Sequence, residues 1–185
     1  MIKPEQYDKG YYEDNKLGGY SGYVKEATPH LDEYTALLKK IFPEFTTFLD
    51  VGCAYGTLVE KLNDSNMIAA GIDISEWAIT QAIDYCQLFD GLNIPMPDKS
   101  FEVVVCIDTL EHVPYEDAPQ LVKEMVRVSK KYLYFVIGYG QSQNDQTHCS
   151  VDRGWWQRLF NELGFKRITR IDDVRIPDHV ELFEI

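Results

Sequence analysis

The segment Phe48-Leu49-Asp50-Val51-Gly52-Cys53-Ala54-Tyr55-Gly56 runs from an apolar stretch into a turn bracketed by glycines. Thr47, Phe48, Leu49 and Val51 are strand-prone, and Leu58, Val59 and Leu62 follow at helical spacing. Strand, glycine turn and helix in that order build a nucleotide pocket. The glycines let the backbone approach a ligand closely, and the helix N-terminus offers free N–H groups. Asp50 stands just before the turn. A carboxylate there repels a pyrophosphate and attracts a cation, which favours a positively charged nucleoside such as S-adenosylmethionine over a dinucleotide.

Outward from this turn, strands and helices alternate. The spacing predicts a helix from Thr28-Pro29 to Pro43, strands over 47–51 and 67–72, and a helix capped by Ser75 and running to Tyr85. Further strands are predicted over 86–88, 101–107 and 132–137, with a helix around 118–128. A helix over 152–163 then ends at Gly164, and strands over 165–171 and 180–185 close the chain. Such alternation is that of an α/β protein with a Rossmann-like, doubly wound, seven-stranded, mostly parallel sheet. The last two strands have no helix between them and are expected as an antiparallel C-terminal pair. Residues 1–27 form an N-terminal aromatic arm with no sustained period, and residues 28–185 form the domain.

A length of 185 residues suits one domain with a sizeable core. The formal net charge of −12 repels phosphate backbones, so no nucleic-acid partner is expected. No run approaches transmembrane length, so no membrane partner is expected either. Cys53, Cys86, Cys106 and Cys149 include no C-x-x-C pair, which leaves a reduced, cytoplasmic setting as the expectation.

Five short motifs stand in order: Asp50-Val51-Gly52-Cys53-Ala54-Tyr55-Gly56, Gly71-Ile72-Asp73-Ile74-Ser75, Asp90-Gly91-Leu92-Asn93-Ile94-Pro95, Phe101-Glu102-Val103-Val104 and Leu110-Glu111-His112-Val113. Together they resemble the class I S-adenosylmethionine-dependent methyltransferases, small-molecule branch, over roughly residues 30–185. Tyr55 departs from the family pattern by adding bulk at the turn. The resemblance implies that Asp50, Gly52, Cys53, Ala54 and Gly56 surround the methionine moiety, and that Asp73 accepts hydrogen bonds from the ribose. It also implies that Ile74 packs on adenine and that Asp90, Gly91 and Leu92 lie beside it. Asp108 is counted on the cofactor side as well.

Asp108-Thr109-Leu110-Glu111-His112 is similar to the E-x-x-E-H of the metal-dependent ubiquinone-pathway and small-RNA methyltransferases. That likeness implies a divalent metal such as Mg on Asp108, Glu111, His112 and His148. Without metal, His112 or His148 is the candidate general base. Tyr7, Tyr11 and Tyr12 are candidates for a lid that excludes water from the reacting methyl group. The implied activity is methyl transfer to an oxygen, or less readily a nitrogen, of a small-molecule acceptor. The alternatives are a non-catalytic cofactor-binding partner subunit and a nicotinamide-dependent oxidoreductase. The latter expects G-x-G-x-x-G, and Ala54 and Val59 replace its second and third glycines.

Overall fold

The computed structural model describes residues 3–13, 29–139 and 152–185. A 3₁₀ turn over Pro4–Gln6 and helix α1 (Lys9–Glu13) precede α2 (Pro29–Ile41). Next come β1 (Thr47–Val51), α3 (Thr57–Asn63), β2 (Ile68–Asp73), α4 (Glu76–Gln81), β3 (Cys86–Leu88) and β4 (Phe101–Ile107). The chain ends with α5 (Ala118–Val128), β5 (Ser129–Val136), α6 (Arg153–Glu162), β6 (Lys166–Ile168), β7 (Arg170–Ile171), β8 (Val174–Arg175) and β9 (Val180–Glu184).

Seven strands form one sheet in the order β3-β2-β1-β4-β5-β9-β6. β1 pairs in parallel with β2 and β4, and β9 runs antiparallel to both β5 and β6. The α/β class, the seven-stranded mostly parallel sheet and the antiparallel C-terminal pair are therefore as the sequence predicts. The strand order reverses at β1 and β4, and the crevice beyond the carboxyl ends of these strands is where a doubly wound sheet receives a ligand.

The central strands are mostly apolar because both faces are covered. Leu49, Val51, Val104, Cys106, Leu133 and Phe135 pack with Leu121, Met125, Trp156 and Phe160 of α5 and α6. Their alternate neighbours Phe48, Val103, Val105 and Tyr134 pack with Leu38, Leu58, Val59 and Leu62 of α2 and α3. Period-two alternation thus sends successive side chains into two cores. Glu181 on β9, 2% exposed, ties α6 and β6 to the sheet through Arg153 and Arg167, each at 2.9 Å.

Most element boundaries fall within a residue or two of the sequence prediction, and three elements differ by more. α4 stops at Gln81, because Ala82 turns to an extended ψ of 169°. Residues 82–85 are needed to reverse the chain into β3, with Gly71 N donating to Tyr85 O. β5 starts at Ser129 and follows α5 without a loop. The expected strand over 165–171 divides. Its first part pairs with β9, and its second folds back on β8 as a hairpin whose turn contains Asp172 at φ 47°.

Candidate cofactor and acceptor site

A cavity of about 980 Å³, open solvent at its mouth included, lies at the β1/β4 reversal. Its floor is the turn after β1. Gly52, Ala54 and Gly56 all take positive φ, at 84°, 47° and 74°. At Gly52 a side chain is sterically barred: a Cβ would stand 2.2 Å from Thr109 Oγ1, which is held by its bond to Ile107 O. Gly52 N and Cys53 N both donate to Ile72 O, and Ala54 N donates to Asp73 Oδ2 at 2.8 Å, so β2 sets the shape of the turn.

Asp50, Gly52, Cys53, Ala54, Asp73 and Ile74 line this cavity. Asp50 and Asp73 are 5% and 6% exposed. Burial, and then the charge of Asp73, push the Asp50 carboxyl up to about 7. Burial also raises Asp73, opposed by backbone N–H bonds from Ser75, Ala54 and Ile74. No Lys or Arg among the described residues forms an ion pair with either acid. Two buried acids beside one cavity form a site for a cation.

Gly91 lines the cavity, whereas Asp90 and Leu92 do not. The exposed Asp90 carboxylate accepts from Leu92 N, Asn93 N and Asn93 Nδ2, which closes its own turn and holds its pKa down. Gly56 also stands outside the lining. Its positive φ carries the chain from the turn into α3.

Beyond the carboxyl end of β4, Asp108 and His112 line the cavity and Glu111 does not. Glu111 is buried, and its Oε1 accepts from Gly138 N at 2.9 Å. Burial lifts its carboxyl to about 7. It thereby pins the exit of β5. Among the described residues no group of three or more His, Cys, Asp or Glu side chains is placed to hold a metal ion. The proposed ligands Asp108, Glu111 and His112 therefore do not assemble a metal centre, and no chemistry is derived through one. The fourth, His148, and its candidate role as a base lie outside the described residues.

His30, which the sequence reading passes over, lines the cavity from the start of α2. Burial raises the Asp108 carboxyl, and the charges of His30 and His179 pull it down. Tyr34 lies between the two imidazoles, with ring centroids 6.3 Å from His30 and 6.1 Å from His179. The signal for His30 is its i,i+4 spacing to Tyr34 on α2. His179 is brought in only by the fold.

Tyr7, Tyr11 and Tyr12 form one wall of the cavity. Tyr7 and Tyr12 are buried, and their rings pack in a chain through Tyr11. The Ser75 hydroxyl donates to Tyr7 O and accepts from Ala78 N, so one side chain caps α4 and anchors the arm. Tyr55 explains its own departure from the family pattern. Its ring centroid lies 5.1 Å from that of Tyr12, which makes it the pad on which the arm rests. Deleting residues 1–24 is expected to weaken S-adenosylmethionine binding about tenfold by titration calorimetry, about 1.4 kcal/mol. The far-ultraviolet circular dichroism of the core should persist. Undiminished affinity would show that the arm is no cofactor lid.

Residues 49–137 match the family model of a methyltransferase domain. The chain is 27% identical over 136 residues to 27-O-demethylrifamycin SV methyltransferase of Amycolatopsis mediterranei, covering 67% of this chain and 47% of that protein. It is 29% identical to ajmaline N-methyltransferase of Rauvolfia serpentina, covering 74% and 51%. Its fold matches that of magnesium protoporphyrin IX methyltransferase from Synechocystis, solved with S-adenosylmethionine bound. The TM-score is 0.64 at 17% identity, covering 95% of this chain and 90% of the other. The chain spans about half the length of the curated relatives it matches. The matched segment, the ordered motifs and the sheet built on them make this chain similar to the S-adenosylmethionine-dependent methyltransferases.

Proposed function

We propose that the protein transfers a methyl group from S-adenosylmethionine to an oxygen, or less readily a nitrogen, of a small-molecule acceptor. The observation that carries this reading is the pair of buried acids, Asp50 and Asp73, that line one cavity beside a glycine turn. S-adenosylmethionine fits that donor set: Asp50 suits its positive charges, and Asp73 and Ile74 suit its nucleoside. When bound, its sulfonium supplies an already activated methyl group. The protein's own part is then placement and proton removal. Tyr7, Tyr11 and Tyr12 wall the cavity from water, and catalysis rests on alignment of the two reactants. His112, Asp108 and His30 line the same cavity and are the groups available to take a proton from an acceptor hydroxyl.

The net charge of −12 supports a small acceptor over a nucleic acid. Among the described residues no helix is long and apolar enough to cross a membrane. With no C-x-x-C pair, a reducing, cytoplasmic setting is part of the proposal. Calorimetric titration with S-adenosylmethionine and with NAD tests it: binding of the first and not the second is expected. Tight binding of NAD alone would overturn the reading. Binding of S-adenosylmethionine without turnover of any alcohol, phenol or amine would favour a non-catalytic partner subunit.

A further inference from the structure

Cys86, half-buried on the edge strand β3, reaches beneath the cofactor turn. Its sulfur occupies a slot left by two glycines. A Cβ at Gly56 would lie 2.6 Å from Cys86 Sγ, and a Cβ at Gly71 would lie 3.0 Å from it. The same position at Gly71 would be 2.7 Å from Cys53 Sγ. The two thiols therefore crowd the same point beside Gly71, and they are hydrogen-bonded to each other. Strand register builds the contact. Gly71 pairs with Cys86 across β2 and β3, and Cys53 N donates to Ile72 O at 3.1 Å. The sequence hides the pair, since no short spacing joins positions 53 and 86.

We propose that Cys53 and Cys86 form an oxidation site, in which a peroxide converts the thiol pair to a disulfide that deforms the cofactor cavity; the effect on function rests on the S-adenosylmethionine reading above. Cys86 is the more exposed thiol and reacts first. Its sulfur attacks one peroxide oxygen, the O–O bond breaks, and Cys86 sulfenic acid and water form. The Cys53 sulfur then attacks the Cys86 sulfur, the S–O bond breaks, and a second water leaves with the Cys53 proton. Two electrons pass from the sulfur pair to the peroxide. The bond to Cys86, and then burial, hold the Cys53 thiol well above its ordinary pKa, so the closing step quickens as pH rises.

A disulfide requires sulfurs about 2.05 Å apart, closer than a hydrogen-bonded thiol pair, so one side of the contact must move. Movement of Cys53 displaces the cavity floor. Movement of β3 displaces Phe89 and Gly91, which follow it in the chain and also line the cavity. Either way the cofactor site changes.

The test is to treat the full chain with hydrogen peroxide, map linked peptides by mass spectrometry and titrate S-adenosylmethionine before oxidation, after it, and after reduction with dithiothreitol. The expected result is a peptide joining Cys53 to Cys86, with the loss of two hydrogens. Affinity should fall at least tenfold and recover on reduction, whereas Cys86→Ala keeps its affinity under peroxide. Absence of the linked peptide, or a link that leaves affinity unchanged, overturns the proposal. A reduced protein that never binds S-adenosylmethionine would instead remove the functional reading, and the peptide map would still decide whether the thiols join.

Discussion

Asp50→Asn is expected to weaken S-adenosylmethionine binding roughly a hundredfold at pH 8, about 2 to 3 kcal/mol, the scale of an interaction with a buried charged group. Its pH signature is more diagnostic than its size. In the free protein the Asp50 carboxyl titrates at about 7. Below that value it is protonated, and a cationic ligand must expel the proton to gain the charge. Wild-type affinity is therefore expected to rise about tenfold from pH 6 to pH 8, with proton release on binding. In Asp50→Asn the slope should vanish. The sign for stability is the opposite. A carboxyl raised in the folded state stabilises fully only below its unfolded pKa, near 4, and that contribution is lost as pH rises through about 7. Ligand-free Asp50→Asn should thus melt above the wild type at pH 8, with the gap closing toward pH 4. An affinity independent of pH in the wild type would remove Asp50 from cation recognition.

The parts of the molecule legible in the sequence were those in which one local pattern has one physical solution. β1 and β4 read as buried strands because successive residues are apolar and enter two different cores. The turn after β1 read as a ligand turn because Gly52 and Gly56 take backbone conformations that other residues resist. Legibility failed where a side chain had two competing uses. Asp90 could meet a ligand or close an Asp-Gly turn, and three local donors within the next three residues decide for the turn. Glu111 belongs to a metal-like spacing, yet Gly138 N–H takes its carboxylate once β5 lies beside it. Legibility failed again where the contact is made only by the sheet. His30, Tyr34 and His179 gather near Asp108 from the two ends of the domain, and Cys86 meets Cys53 through strand register. No spacing along the chain encodes the arrival of His179 or the meeting of the two thiols. Tyr55 was visible as an oddity, but its use depends on the position of Tyr12.

Asp73→Ala is expected to abolish measurable S-adenosylmethionine binding at micromolar cofactor and also to destabilise the ligand-free protein. Two causes are superimposed, and they can be separated. Asp73 Oδ2 accepts from Ala54 N and Oδ1 from Ser75 N, both at 2.8 Å, in a position 6% exposed. Removing the carboxylate leaves two buried N–H groups without an acceptor, at about 1 to 3 kcal/mol each. It also frees Ala54, held at φ 47°, from the bond that keeps the turn in shape. Urea unfolding of the ligand-free variant reads this structural loss directly. Asp73→Asn divides the roles, because an amide keeps one acceptor oxygen and the side-chain shape while giving up the charge and the second acceptor. If Asp73 serves only to hold the turn, Asp73→Asn should recover most of the stability and most of the affinity together. If its carboxylate also receives the ribose hydroxyls, stability should return in part while affinity stays at least tenfold below the wild type. Wild-type affinity in Asp73→Ala would contradict both roles, and with them the placement of the nucleoside at the end of β2.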